Sequence, residues 1–127
     1  MKTVVSSPEA PAALGPYSQA IAAGSLVFCS GQVPIDPQTG ELVAGDLRAQ
    51  TQRVLQNLEA VLGAHGLEPD HIVKTTVFMT DLSRFAEMNA VYGAFFQKAF
   101  PARSTVQVAA LPKGAQIEIE AIAVQRS

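Results

Sequence analysis

The sequence predicts an α+β fold in which two helices cover one face of a sheet of about six strands. Three stretches carry this prediction. Apolar residues recur at helical spacing from Leu47 to Leu62, β-branched residues dominate Ile72 to Met79, and apolar residues alternate with polar ones from Gln116 to Val124. A chain of 127 residues has room for one core but not for two domains, so residues 1–127 are predicted to form a single domain.

The N-terminal third is predicted to hold an extended loop and a β-hairpin. Residues 8–16 contain three prolines and a glycine, which favour an extended loop after at most a short strand. Residues 20–23 and 26–30 flank the pair Gly24-Ser25, a pattern typical of a hairpin with a two-residue turn, and the second strand is predicted to end at Gly31. Turn-forming residues from Pro34 to Gly45 predict a loop.

The first helix has the clearest pattern in the sequence. Asp46 is a suitable N-cap and Gly66 a suitable stop. Its apolar stripe consists of Leu47, Thr51, Val54, Leu55, Leu58, Val61 and Leu62.

A second helix is predicted after Asp81, which would cap its N-terminus, and Pro101 would end it after Phe100. Its predicted buried stripe consists of Phe85, Met88, Tyr92, Phe95 and Ala99.

The predicted sheet has more apolar surface than two helices can cover. A central strand is predicted from Ile72 to Met79, and two final strands follow in the chain, from Arg103 to Val108 and from Gln116 to Val124. Apolar residues that demand cover on both faces are Val27, Phe28, Val77, Phe78, Ile119 and Ile122. We therefore expect the bare face to meet another subunit. A six-stranded barrel closed within one chain is the alternative, which two long helices disfavour.

Composition excludes several classes of function. Charged residues make up 16% and the net charge is -2, with no basic run, so nucleic acid is not expected as the principal partner. Cys29 is the only cysteine, which favours a reducing, cytoplasmic location. The sequence shows neither a signal peptide nor an uninterrupted apolar stretch of about 18 residues, so export by that route and membrane insertion are not expected.

Three positions are candidates for chemistry. Arg103 opens a strand of small and apolar residues, so it either forms a structural ion pair or clamps a substrate carboxylate with its planar fork of donors. Glu118 and Glu120 lie on one face of the last strand, where they either form an exposed polar edge or orient and deprotonate water. Ile122 and Val124 continue that face, which predicts that its far end is buried.

The remaining polar positions give weaker signals. Ser30-Gly31 ends a strand where a backbone N–H could approach a ligand, or is a simple terminus. Cys29 is interpreted as a core residue, and His65 and His71 share no metal-ligand spacing, so no metal is predicted. Phosphate loops and Gly-x-Ser-x-Gly elbows are absent from the sequence.

Five blocks in this order resemble the reactive intermediate deaminase (Rid, YjgF-type) family, and most closely its archetypal RidA-like branch. The blocks are residues 15–20 (GPYSQA), 30–34 (SGQVP), 73–78 (VKTTVF), 100–104 (FPARS) and 117–123 (IEIEAIA). The resemblance runs nearly end to end. It implies a chorismate-mutase-like α+β domain with a mixed sheet, assembled as a homotrimer whose sheets form a central barrel with active sites between subunits.

The resemblance also implies an activity, that of a 2-iminobutanoate/2-iminopropanoate deaminase. Such an enzyme hydrolyses short enamine and imine acids, such as 2-aminoacrylate, to 2-keto acids and ammonia without a cofactor. Arg103 would bind the substrate carboxylate and Glu118 would position or activate water. The residues implied to line the cleft are Tyr17, Ser30, Gly31 and Asn89.

One position departs from the family pattern. Thr105 stands where many archetypal members have cysteine, so no thiol role is expected there, although threonine still offers a backbone N–H and a hydroxyl. Two alternatives stay open at this point: a trimer that binds small ligands without turnover or acts like a chaperone, and a ribonuclease, which the acidic charge disfavours.

Overall fold

The computed structural model describes residues 1–125, and its central feature is one six-stranded sheet. The strands are β1 (Lys2–Val5), β2 (Ala20–Ala23), β3 (Leu26–Gln32), β4 (Ile72–Met79), β5 (Ala102–Gln107) and β6 (Ile117–Val124). Their order across the sheet is β1-β2-β3-β6-β4-β5, and β4 runs parallel to β5 while the other neighbours are antiparallel. The predicted mixed sheet is therefore confirmed.

The predicted hairpin is formed by β2 and β3. Gly24 adopts a φ of 61°, a left-handed conformation that glycine reaches without steric cost. The second strand continues to Gln32, one residue beyond the predicted end. The predicted loop from Pro34 to Gly45 is confirmed apart from one isolated bridge between Ile35 and Leu42.

The first helix, α1 (Leu47–Gly63), begins where the sequence predicts. The Asp46 carboxylate accepts a hydrogen bond from the Ala49 N–H at 3.1 Å. Gly66 is not the residue at which the helix stops, because α1 ends three residues earlier. Gly66 instead takes a φ of 73° and reverses the chain, so that the Leu67 N–H donates to the Leu62 carbonyl at 2.9 Å.

The second helix, α2 (Phe85–Phe96), is shorter than predicted at both ends. Asp81 caps a 3-10 turn over Leu82–Arg84 rather than α2 itself, accepting from the Ser83 N–H at 3.0 Å. The helix ends at Phe96, because Gln97 takes a φ of 60°, and Pro101 therefore does not end it. Its buried residues are Met88, Tyr92 and Phe96; the predicted Ala99 lies outside the helix, Phe85 is exposed and Phe95 is only partly buried.

The two faces of the sheet differ in their cover. Val27, Val77 and Ile119 are 0% exposed on the face against the helices, where α1 packs on β3 and β6. Phe28 remains 44% exposed on the opposite face, which neither α1 nor α2 covers. Two-sided apolar patterning is thus confirmed. The predicted burial at the far end of β6 is wrong for the single chain, since Val124 is 38% exposed.

Within residues 1–125, no helix combines the length and the apolar character needed to cross a membrane.

Candidate functional site

A β-bulge in β3 provides the first part of the site. Cys29 pairs with Ala121 and Gln32 pairs with Ile119, so Ser30 and Gly31 together face a single residue of β6. An extra residue in one strand bends it and re-aims the neighbouring side chains. The Ser30-Gly31 pair, singled out from the sequence, is therefore a bulge within the sheet rather than a simple strand end.

The Glu118 carboxylate packs directly over Gly31. A Cβ at position 31 would overlap Oε2 of Glu118 and stand 2.8 Å from its Cδ, so only glycine leaves room for this carboxylate. Burial raises the pKa of the Glu118 carboxyl, and the charge of Glu120 raises it further. Glu118 is thus a half-buried carboxylate with an increased affinity for a proton.

Gln19 anchors the N-terminal loop beside the bulge. Its buried side-chain amide accepts from the Ser7 N–H at 2.6 Å and donates to the Pro11 carbonyl at 2.7 Å. The Ser30 hydroxyl donates to the Ser18 carbonyl at 2.6 Å. These bonds fix the segment that carries Tyr17. Sequence reasoning did not assign Gln19 a role, and nothing in its spacing distinguishes it.

These groups surround an opening of ≈ 550 Å³ that we call the acid cleft. It is lined by Tyr17, Ser30, Gly31, Glu118, Glu120 and Lys113, together with apolar residues of the loops. Tyr17 is 53% exposed at its edge. Four of the residues predicted from the sequence therefore lie together: Tyr17, Ser30, Gly31 and Glu118.

Arg103 lies elsewhere, on the helix-covered face of the sheet. It pairs with the fully buried Thr75 of β4, so its side chain points toward α2. Its Cζ stands over two rings, 4.7 Å from the centroid of Tyr92 and 5.4 Å from that of Phe85. Among residues 1–125, Arg84 and Glu87 form the only ion pair. The structural ion pair considered for Arg103 is therefore not found in that part of the chain.

A second opening of ≈ 490 Å³ surrounds this guanidinium, and we call it the arginine cleft. Its lining consists of Asn89, Tyr92, Gly93, Phe100, Pro101 and Arg103. Thr105 lies two residues further along β5, half-buried on the same face, opposite Val77 in register. Asn89 and Arg103 therefore line one cleft, whereas Thr105 lies on the same face of the sheet but outside that lining.

The structure thus divides the predicted site residues between the two faces of the sheet. Glu118 pairs with Phe78, and Arg103 pairs with Thr75, so their side chains leave the sheet in opposite directions. Neither cleft of a single chain contains both groups.

The other titratable candidates play no part in either cleft. Cys29 is buried, and burial raises the pKa of its thiol to about 12, as expected of a core residue. His65 hydrogen-bonds Gln125 at 2.6 Å, and the His71 ring accepts from the Glu68 N–H at 2.9 Å. Residues 1–125 contain no group of three or more His, Cys, Asp or Glu side chains that could hold a metal ion.

Fold and clefts together define a small α+β protein with a carboxylate over a glycine bulge and an arginine on an aromatic platform. Comparison with known proteins identifies the family. The chain belongs to the family described as endoribonuclease L-PSP, the YjgF/Rid family, whose sequence model matches residues 7–125.

Relatives within this family carry different names. The chain is 54% identical over 125 residues to protein DfrA of Myxococcus xanthus, covering 97% of this chain and 95% of the relative. It is 53% identical over 129 residues to the 2-iminobutanoate/2-iminopropanoate deaminase of Salmonella typhimurium, covering 99% of this chain and 100% of the relative. A solved structure of Escherichia coli TdcF with bound serine is 48% identical, with a TM-score of 0.93 over 98% of this chain and 99% of that one.

Proposed function

We propose that this protein hydrolyses short 2-imino acids, such as 2-iminobutanoate and 2-iminopropanoate, to 2-keto acids and ammonia. The observation that carries the proposal is the pair of clefts. One presents a guanidinium with no acidic partner in residues 1–125, and the other presents a half-buried carboxylate. These are the groups needed to bind the acid end of such a substrate and to deprotonate water at its C=N end. The name of the Salmonella relative supports the same reaction.

A complete site on this proposal requires two chains. The sheet separates Arg103 from Glu118 within one chain, so the arginine cleft of one copy would have to meet the acid cleft of another. Exposed apolar side chains on the bare sheet face, including Phe28 and Val124, favour burial against further copies. We propose a homotrimer, a closed ring with three equivalent sites and a chorismate-mutase-like arrangement of sheets inside and helices outside.

Substrate binding would centre on Arg103. Its planar fork can form two parallel hydrogen bonds with a carboxylate, which fix the orientation as well as the position of the substrate. Asn89, which lines the arginine cleft, and Thr105, two residues beyond Arg103 on the same face of β5, would donate or accept the remaining hydrogen bonds. Binding of this kind holds the electrophilic carbon at a constant distance from the water that attacks it.

Glu118 would act as the general base and then as the general acid. As water adds to the carbon of the protonated imine, Glu118 accepts one proton from that water, giving a carbinolamine. Glu118 returns this proton to nitrogen, ammonia leaves with the C–N bonding pair, and loss of the hydroxyl proton forms the keto group. An enamine first takes a proton from solvent on C3, the carbon next to the one that bears nitrogen, and so becomes the protonated imine. No cofactor is proposed, because an imine is electrophilic enough for water.

Tyr17, Ser30 and Gly31 would shape the acid cleft around this step. Ser30 donates its hydroxyl hydrogen to Ser18, so its oxygen retains lone pairs that can accept from a substrate amine. Tyr17 stands at the edge of the cleft, where its ring can limit access of bulk water. We propose a substrate-binding role for these residues, with the backbone N–H of Gly31 as a donor.

The family description favours a second candidate, an endoribonuclease. A ribonuclease must attract a phosphate backbone, and the net charge of -2 opposes that attraction. Incubation of the protein with labelled single-stranded RNA would distinguish the candidates. Cleavage lost in Glu118→Gln, with binding that weakens steeply as salt rises, would favour the ribonuclease.

A cytoplasmic location is also proposed, on the basis of the single cysteine.

The deaminase proposal is tested by generating the substrate in place. A pyridoxal-phosphate dehydratase acting on threonine releases the enamine of 2-iminobutanoate, and the appearance of 2-oxobutanoate is followed with and without this protein. We expect wild type to accelerate the reaction and Arg103→Ala to lower kcat/KM by roughly thirty-fold to several thousand-fold, about 2 to 5 kcal/mol. Equal rates in all samples would reject the activity, and binding without acceleration would favour a non-catalytic ligand-binding protein.

A further inference from the structure

We propose that Tyr92 and Phe85 are positioning residues that hold the Arg103 guanidinium by its faces and leave its edge free for an anionic ligand. The inference rests on the proposed function in one respect, namely that Arg103 binds the carboxylate of a small acid. It adds two aromatic residues of α2, the first residue Phe85 and the buried Tyr92, to the residues that determine ligand affinity. We call this pair of rings the aromatic cradle.

The position of the guanidinium is the first observation. Its Cζ lies over both rings of the aromatic cradle, within the range at which a cation is attracted to the face of an aromatic ring. No hydrogen bond or ion pair in residues 1–125 engages the guanidinium. Contact with aromatic rings is therefore the interaction that orients this side chain within the described part of the chain.

Tyr92 is itself fixed against the strand beside Arg103. Its hydroxyl hydrogen-bonds Oγ1 of Thr75 at 2.6 Å, and both residues are buried. Thr75 is the register partner of Arg103 across the β4–β5 pair. The ring of Phe96 packs against that of Tyr92, with the two ring centroids 4.7 Å apart. The Tyr92 ring that contacts the Arg103 guanidinium is therefore held by Thr75, the residue beside Arg103 on the adjacent strand.

An aromatic cradle suits a binding arginine for a chemical reason. A carboxylate partner within the chain would occupy the N–H donors that a substrate carboxylate needs, and it would neutralise the charge. The faces of aromatic rings attract the cation without consuming those donors. Fixing the fork in advance also lowers the entropy lost when the ligand binds.

The test measures affinity for 2-oxobutanoate, the expected product, by calorimetric titration, together with kcat and KM. Phe85→Leu and Tyr92→Leu each remove one ring, and we expect each to weaken binding and raise KM by about 3- to 10-fold with kcat little changed. Tyr92→Phe keeps the ring but loses the hydrogen bond to Thr75, so its loss of affinity should be clearly smaller than that of Tyr92→Leu. Phe85 is 38% exposed, so its replacement tests the cradle even if Tyr92→Leu fails to fold.

Phe95→Leu is the matched control. Phe95 lies on the same helix and packs edge-on against Phe96 at 4.9 Å, but the Arg103 Cζ lies over the rings of Phe85 and Tyr92 and not over that of Phe95. A purely structural loss would lower apparent kcat through a smaller folded fraction and leave KM unchanged. The proposal is overturned if Phe85→Leu binds as tightly as wild type, if Phe95→Leu loses as much affinity, or if Tyr92→Phe loses as much as Tyr92→Leu. Because the titration needs no turnover, an absence of deaminase activity would leave this test intact.

Discussion

The acid cleft and the arginine cleft hold side chains of opposite charge, and different parts of the structure position them. The Arg103 guanidinium at the arginine cleft is held by side chains, since its Cζ lies over the rings of Tyr92 and Phe85 and no hydrogen bond within residues 1–125 engages its donors. The Glu118 carboxylate in the acid cleft is positioned by the backbone, since the bulge at Ser30 and Gly31 leaves room for it. Burial and the charge of Glu120 raise its pKa. One charge is held in place, and the other is kept ready to take up a proton.

The separation of the two clefts has a physical consequence. If Arg103 and Glu118 shared one cleft in one chain, they could form an ion pair that would occupy the donors of the first and lower the pKa of the second. The sheet between them prevents this pairing. On our proposal the two groups meet only across an interface between chains, with the substrate between them.

The largest expected effect comes from removing the proton acceptor. Glu118→Gln keeps the shape of the side chain but cannot accept a proton, so we expect kcat to fall by about 10²- to 10⁴-fold while KM changes little. In wild type, kcat should fall as the pH drops through the raised pKa of Glu118, because only the ionised form accepts a proton. Glu120→Gln removes one cause of that rise, and the midpoint should move to lower pH.

The pH dependence of kcat in wild type and in the two variants tests the acid cleft separately from substrate binding by Arg103. An unchanged profile in Glu118→Gln would show that another group takes the proton, and the assignment of the acid cleft would be wrong.

A smaller effect is expected from filling the space over the bulge. The methyl group of Gly31→Ala would displace the Glu118 carboxylate, and we expect kcat to fall by about 10- to 100-fold. Gly63→Ala is the control, because a Cβ there meets nothing within 4 Å. It should leave kcat intact, and because Gly63 is the last residue of α1 it should stabilise the helix by at most about 0.5 kcal/mol. A Gly31→Ala enzyme with wild-type kcat would mean that the position of Glu118 is not critical.

The smallest effect is on stability. A carboxyl whose pKa is raised on folding costs stability in its ionised form, so the cost is present above that pKa and disappears as the pH falls through it. Glu118→Gln should therefore have a higher Tm than wild type near neutral pH, and the difference should shrink in acid. Thermal unfolding monitored by circular dichroism measures it. A lower Tm for the variant at neutral pH would mean that the carboxylate is stabilised by its surroundings.

The elements of the fold follow from sequence where one local pattern decides them. The helix from Asp46 and the strand Ile72–Met79 were predictable, because a cap with helical spacing and a run of β-branched residues leave few alternatives. The ends of α2 were not, since Gln97 at φ 60° ends the helix without glycine or proline. A left-handed glutamine has no signature in the sequence.

The site divides in the same way. Spacing places Glu118 and Glu120 on one face, and strand position marks Arg103, so these candidates could be found in the sequence. Their assignment to opposite faces depends on the β4–β5 register, a long-range pairing that no local pattern encodes. The cradle of Phe85 and Tyr92 depends on the same register and on how α2 packs.

The central claim, that one chain supplies Arg103 and another supplies Glu118, is tested most directly by mixing two inactive variants. Arg103→Ala and Glu118→Gln chains carrying different tags are co-expressed, and oligomers containing both are purified and assayed with 2-iminobutanoate generated in place. In a closed trimer that contains both variants, one interface of the three joins an intact Arg103 to an intact Glu118, so the purified mixed oligomers should recover about a third of wild-type kcat. Activity no higher than that of either variant alone would contradict a site shared between chains.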